Sequence, residues 1–487
     1  MSPVRATILI RNAEVNGRDG LDVRVGPDQV REVGRQLARR AGDEVIDAAG
    51  GAVIPGLHDH HVHLRALVSA RSSADASAIC DPAAFDKLVA SAAAAAAAQG
   101  SWLRVIGWDE HRAGSLDRHR LDAIAGPVPT RVQHRSGAMW VLSSAALRAV
   151  GADDCDLPGV ERDQDGSATG RLLRMDAWLR GRLAALGAGE GPGAFATGLA
   201  QYAGWCARLG VTGFTDATPD RDQADADDLA ELSASGVIPQ QLVLMAPPGL
   251  NQRPSDQGCS GRVTFGPVKI VLDDSTLPSA AALASRVRDA HEHGLAVAIH
   301  CVTAEQLVIA VAGFEGAGPA PPGSTDRIEH AAVVPPGYAA TLARLGLAVV
   351  TQPGFVHDRG DDYLRYVPPG EQAWLYPCAS LLHAGVPVAA GSDAPFGPAN
   401  PWLAVAAAAS RRSSAGAVVG AAERVSARRA LRLFLASPGD VRRIRGVAPG
   451  QPGDVCVLGT SVRRALAERA CPEVLATIMG GRVFRTD

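Results

Sequence analysis

Short β-type runs, most ending on a polar or ionisable side chain, return along the second half of the chain at a nearly constant interval. They are Val211–Asp216, Gln241–Leu244, Val268–Val271, Ala296–His300, Arg327–His330, Leu347–Gln352 and Val388–Asp393. Lys269, His300 and His330 follow one another at intervals of 31 and 30 residues, and Asp393 lies 63 residues beyond His330. One strand, one helix and two loops need about 30 residues, the length of a βαβ unit. Apolar helix candidates, Ser279–Glu292 and Gly337–Leu345, fall between the runs. With the run Leu57–His63 added there are eight strands. Strands alternating with helices, each delivering a polar group at its C-terminal end, predict an α/β chain built as a (β/α)8 TIM barrel. A doubly wound sheet is the weaker alternative.

Two regions depart from this beat. Residues 71–195 form a long insertion after the first barrel strand, with aromatic segments at Trp102 and Trp108. Insertions in βα loops lie over the catalytic face, so a lid or substrate wall is expected. The run Ala92–Ala98 followed by Gly100 reads as a helix with a glycine stop. The chain ends carry short alternating strands at Thr7–Ile10, Asp22–Val25, Asp454–Leu458 and Arg482–Phe484. They predict one companion β domain from residues 1–54 and 445–487, beside a barrel of residues 55–70 and 196–444.

The composition fits this plan and narrows the partners. Of 487 residues 47% are apolar and 20% charged, enough for a large core. The net charge is −3 without a basic run, so neither nucleic acid nor a membrane surface is an expected partner. Met1–Ile10 has no apolar core of signal-peptide length, and charged residues interrupt every stretch before the ~18–20 residues that span a bilayer. Cys80, Cys155, Cys206, Cys259, Cys301, Cys378, Cys456 and Cys471 are scattered without a Cys-x-x-Cys pair. Reduced thiols and a cytoplasmic enzyme with a small-molecule substrate are the expectation.

The sharpest motif is Pro55-Gly56-Leu57-His58-Asp59-His60-His61-Val62-His63. On a strand, Asp59, His61 and His63 share one side. Two imidazoles two residues apart can grip one metal ion, with Asp59 placed to orient a ring. A histidine-rich loop would read the same in isolation. The other strand ends carry Lys269, His300, His330 and Asp393, groups that are costly to bury without partners. Lys269 also admits an ion pair to Asp273 or Asp274, and Asp393 a cap for the segment after it. A carboxylate converging with four histidines is better explained as a metal ligand and general base.

These residues carry a resemblance to the amidohydrolase superfamily, within it the YtcJ-like and N-substituted formamide deformylase-like branch, amidohydrolase family 3. The resemblance runs nearly end to end. It includes the Pro-Gly-x-x-Asp-x-His-x-His signature, the Val268-Lys269 strand, His300, Arg327-Ile328-Glu329-His330-Ala331, Gln352-Pro353, Gly391-Ser392-Asp393-Ala394-Pro395, and Ala448-Pro449-Gly450 before Gly453-Asp454-Val455. It implies a TIM barrel beside a bipartite β-sandwich-like domain. It implies that His61, His63 and Asp393 bind the more buried metal and His300 and His330 a second one. Lys269 would be carboxylated by carbon dioxide and bridge the two. Zinc is the first choice for this nitrogen and oxygen donor set, with iron, manganese, nickel or cobalt as alternatives. The implied activity is hydrolysis of a non-peptide carbon–nitrogen bond, of N-acyl, formamide or cyclic amide type. Metal-activated hydroxide attacks, Asp393 acts as general base, and His330 helps hold the oxyanion. Homodimers are common among such relatives, which leaves a second copy of the chain as a partner.

Some positions depart from the family. Where many relatives read His-Ala-x-Gly-Asp, this chain has His300-Cys301-Val302-Thr303-Ala304, with Cys301 expected to pack as a small apolar group. Ala138 stands where relatives often carry a His. Further candidates for substrate contact are Trp108, Asp109 and His134 in the insertion, in a cluster with Glu110, His111 and Arg135. His357 and Arg359, beside Asp358 after strand seven, are others. His291 and His293 are expected to cap a helix C-terminus, and Asp454 to hold a turn. A deaminase, a non-hydrolytic enzyme (decarboxylase, isomerase or hydratase) on the same metals, or a metal-free binding protein are the competing readings.

Overall fold

The computed structural model describes residues 7–188, 192–219, 221–246, 262–467 and 471–485, so Cys259 lies outside the described residues. The chain divides into two compact units, Met1–His63 with Leu199–Asp487, and Leu64–Gly198.

The first unit holds the barrel. Its strands are β1 (Leu57–Val62), β2 (Val211–Asp216), β3 (Gln241–Ala246), β4 (Val263–Val271), β5 (Val297–Cys301), β6 (Arg327–His330), β7 (Ala348–Thr351) and β8 (Val388–Ala390). Neighbouring strands follow chain order throughout, without the reversal that defines a doubly wound sheet. Parallel strands are covered on both faces, which is why β7 and β8 read as unbroken apolar runs. The cylinder closes where the first and last strands meet. Asp393 N donates to His61 O at 2.7 Å, and His63 N to Ala394 O at 2.9 Å. Gly391 permits this approach, since a Cβ there would stand 2.4 Å from His61 N.

The expected helices are present. Ala280–Glu292 starts behind Ser279, whose side chain accepts from Ala282 N, and Tyr338–Arg344 lies between β6 and β7. At the C-terminus of the first of these, His293 Nδ1 reaches Asp289 O at 2.7 Å, as a capping residue should. His291 stands in the last turn of the same helix, as expected. Its Nε2 also lies 3.0 Å from Asp326 Oδ2, and that carboxylate accepts from Val297 N at the start of β5.

Both chain ends enter one eight-stranded sheet. Ile8–Val15 pairs along one edge with Glu44–Asp47 over its first half and Ala52–Pro55 at its end, so the sheet forks there. Val455–Leu458 runs antiparallel to Ala52–Pro55 and joins the two termini. Ile8, Ile10, Val23, Val25, Val455, Val457 and Ile478 fill its core. Asp454 accepts from Gly480 N at 3.0 Å, fixing the turn as expected.

The second unit has its own six-stranded sheet, ordered Val160–Arg162, Ala168–Leu173, Met139–Leu142, Thr130–His134, Leu103–Trp108, Ala74–Asp75. The polyalanine segment lies in helix Pro82–Gln99, which ends at Gly100 with φ 61° and its N–H on Ala96 O and Ala97 O. No helix among the described residues is long and apolar enough to cross a membrane.

Candidate metal centre

The side chains gather where β1 meets β8. A line of imidazoles runs from His63 to His61 (ring centroids 5.3 Å), His61 to His330 (4.7 Å) and His330 to His300 (4.6 Å). Asp393 faces three of them. Its Oδ1 lies 3.2 Å from His63 Nε2 and 3.5 Å from His61 Nε2, and its Oδ2 3.9 Å from His330 Nδ1. His61, His63 and Asp393 each offer a ligand atom, all within 4.8 Å of one another. Lys269 on β4 is buried, with the charges of Glu329 and Asp393 acting on it and its own charge acting on His61.

Two of these residues sit on unusual backbone. His330 has φ 69° and Asp393 φ 55°. The left-handed region costs an L-residue roughly 1–2 kcal/mol, and such outliers persist where surrounding structure enforces them, often at functional sites. Here the turn after each strand aims the side chain across the barrel mouth.

Further residues hold the rings, and sequence reasoning assigned them no role. Glu329, fully buried, contacts His61 Nδ1 and accepts from Arg327 Nε at 2.5 Å. Gln352 Oε1 lies 2.8 Å from His330 Nδ1. Each acceptor draws the ring proton to Nδ1 and leaves Nε2 with its lone pair, the arrangement in which histidine binds metal. The signal available was an Arg-x-Glu pair on a strand with no solvent-facing side. Asp59 acts differently from expectation. It accepts from His61 N at 3.2 Å, Ser392 N at 2.8 Å and Ser392 Oγ at 2.5 Å, so it straps β8 to β1 rather than orienting a ring. Glu329→Gln should weaken metal affinity about 10–100-fold without unfolding the chain. Metal titration of the variant checks this, and unchanged affinity removes Glu329 from the support of His61.

Electrostatics favour neutral rings beside an ionised carboxylate. Burial pushes His61 well below the usual imidazole range, with the Lys269 charge adding to it, and burial likewise lowers His330. Burial would raise Asp393, yet His63, His330 and His61 outweigh it and hold the carboxyl below the usual range. Burial also lowers Lys269, against the opposing pull of Glu329 and Asp393. Asp274 is engaged elsewhere, its Oδ1 accepting from Thr303 Oγ1 and Gln306 Nε2. Cys301 is fully buried and its thiol is pushed upward, the behaviour of a packed apolar group.

Two buried atoms, His61 Nε2 and Lys269 Nζ, have no hydrogen-bond partner among the described residues, and Asp393 Oδ1 faces His63 Nε2 at 3.2 Å and His61 Nε2 at 3.5 Å. Each such atom costs about 1–3 kcal/mol. Nitrogen and oxygen donors gathered this closely suit a divalent cation, which would satisfy all of them.

A family model, the amidohydrolase family, matches residues 44–485. This chain belongs to the amidohydrolase family. As an amidohydrolase it is a metal-dependent hydrolase of carbon–nitrogen bonds other than peptide bonds, acting on small molecules. It is 28% identical over 446 residues to N-substituted formamide deformylase of Arthrobacter pascens, covering 81% of this chain and 80% of the relative. It is 24% identical over 415 residues to the amidohydrolase YtcJ of Bacillus subtilis (strain 168), covering 76% and 75%. Among solved structures, an uncharacterized metal-dependent hydrolase from Pyrococcus furiosus superposes with a TM-score of 0.68 at 20% identity, covering 91% of this chain and 96% of that one.

The remaining candidates of this amidohydrolase fall into two places. Trp108, Asp109 and His134 form their own group in the second unit. There Trp108 and His134 stack edge-on at 5.5 Å, and Asp109 accepts from Arg135 at 2.8 Å. His357 and Arg359 lie on helix Gly354–Tyr366 after β7, where Arg359 stacks on Phe355 and donates to Phe396 O at 2.6 Å.

Proposed function

We propose that this enzyme hydrolyses a small amide of N-acyl, formamide or cyclic type. One or two divalent ions, zinc first, would be held by His61, His63, Lys269, His300, His330 and Asp393. The observation that carries this reading is the meeting of His61, His63 and Asp393 within ligand distance of one another, with bare donors beside them. The 28% identical relative supports the formamide type, since it is named for deformylation of N-substituted formamides.

A bound divalent ion supplies Lewis acidity at the carbonyl and lowers the pKa of water to about 7. The chain does the rest. Asp393, held ionised, takes a proton from the attacking water and delivers it to the leaving nitrogen. His61 and His330 stay neutral and oriented through Glu329 and Gln352. Lys269, its amine favoured by burial in the neutral form, is the nucleophile that carbon dioxide requires. Addition of its lone pair to the carbon of carbon dioxide, with one amine proton released to solvent, would convert it to a carbamate anion that could serve as a ligand to the divalent ions.

A panel of N-acyl, formyl and lactam compounds, assayed on enzyme expressed with supplemented zinc, tests the proposal. At least one metal equivalent per chain and turnover of one class are expected. Less than one equivalent, or no turnover of any class by fully loaded enzyme, overturns it.

A further inference from the structure

Asp393 stands on a tight turn just past β8, and that turn is closed on itself. Asp393 O accepts from Phe396 N at 2.8 Å and from Gly397 N at 3.2 Å, while Ala394 O accepts from His63 N at 2.9 Å. Gly397 has no room for a side chain, since a Cβ there would stand 2.4 Å from Ser392 O and 3.1 Å from Phe355 Cε1. The turn is thereby pressed against Phe355, and the Phe396 ring stands edge-on to His63 at 5.6 Å. With Asp393 itself at φ 55°, the direction of its carboxylate is set by this turn.

A side chain from another element holds the end of this turn. Arg359 Nη2 donates to Phe396 O at 2.6 Å, a short charge-assisted bond. Arg359 lies one helical turn beyond Phe355 on helix Gly354–Tyr366, and its guanidinium carbon sits 4.4 Å from the centroid of that ring. An acidic neighbour does not account for this placement. Asp358 Oδ2 is 3.7 Å from Arg359 Nε and half exposed, a pairing of little energetic weight. The helix that carries the arm is itself tied down. Phe355 N donates to the main chain of Gln352, the residue that holds His330, at 3.1 Å. Ser414 N donates to His357 O at 2.8 Å, and Asp361 accepts from Ser413 Oγ at 2.6 Å. Arg359 is therefore a fixed strut between the helix after β7 and the turn after β8.

We propose that Arg359 is a positioning residue for the general base: clamped over Phe355, it holds the Phe396 carbonyl and so fixes the turn that presents the Asp393 carboxylate to His61 and His63. The inference rests on Asp393 being the base of the hydrolysis proposed above, and adds to it the side chain that aims that base. A proton is passed efficiently only across a well-set distance. The main-chain bonds within the turn give its shape, and the strut gives its place relative to the rest of the mouth.

Arg359→Met keeps an unbranched stem over Phe355 and removes the guanidinium. On zinc-loaded enzyme, kcat for the best amide should fall about 10–10²-fold, with KM, metal content and melting temperature unchanged. Arg359→Lys, which keeps the charge and guards against loss of folding, should lose as much, because an ammonium cannot lie flat on the ring and reach the carbonyl together. Two readouts separate positioning from simple packing. In metal-free protein, amide exchange at Phe396 and Gly397 should quicken in both variants while that of β7 stays as in wild type. In an Asp393→Asn background, Arg359→Met should cost little further, since the carboxylate it acts through is gone. A kcat within about threefold of wild type, unchanged exchange at the turn, or the full Arg359→Met loss repeated on top of Asp393→Asn overturns the role of Arg359 and leaves the hydrolase reading intact. Near-normal turnover by Asp393→Asn alone overturns Asp393 as the base and this inference with it.

Discussion

Asp393→Asn is expected to cost about 10²–10⁴-fold in kcat, the range for loss of a positioned general base, while the chain folds and keeps much of its metal. The argument is geometric. Asparagine preserves the shape and one ligand oxygen, and the turn is held by main chain, with Asp393 N on His61 O and Phe396 N on Asp393 O. What disappears is the ability to accept a proton near neutral pH. Steady-state kinetics beside metal analysis by mass spectrometry decide the matter. Near-normal turnover would remove Asp393 as the base.

Lys269→Ala should abolish two-metal loading. A buried amine without a hydrogen-bond partner is expensive unless it is chemically converted or paired, and alanine supplies neither the amine nor its carbamate. Short carboxylic acids such as acetate or propionate should restore part of the second ion and part of the rate by standing in for the bridging anion. Two ions per chain in the variant, without added acid, would end the carbamate bridge. Because alanine removes a buried amine that makes no hydrogen bond to the described residues, the fold itself should survive.

The barrel was legible because parallel strands buried on both faces leave little latitude in composition. Val297–Ile299 and Ala348–Val350 are apolar throughout, so the ionisable residue ending a run stands out. The second unit was not legible as a sheet. Ala74–Asp75 and Val160–Arg162 are only two and three residues long, and Ala74–Asp75 finds its partner, Leu103–Trp108, beyond an intervening helix. The side chains that hold the rings escaped for a related reason. Glu329 meets His61 across 268 residues and Gln352 meets His330 from the next strand, contacts set by barrel closure and register. Asp59 shows the same limit from the other direction. Its neighbours in sequence suggested an imidazole partner, but closing the barrel brought Ser392 to it first.

The junction of β1 with β8 has a consequence for how the enzyme comes to exist. His61 and His63 are made early in synthesis, and Asp393 more than three hundred residues later, yet one cation would have to touch all three. That ion would therefore work as a clasp on the fold as well as a reagent, stapling the first staves of the drum to the last. Stripping it with a chelator should loosen the wall at Gly391 before any other stave. Amide exchange at His63 and Asp393, which carry the joining hydrogen bonds, should then quicken first.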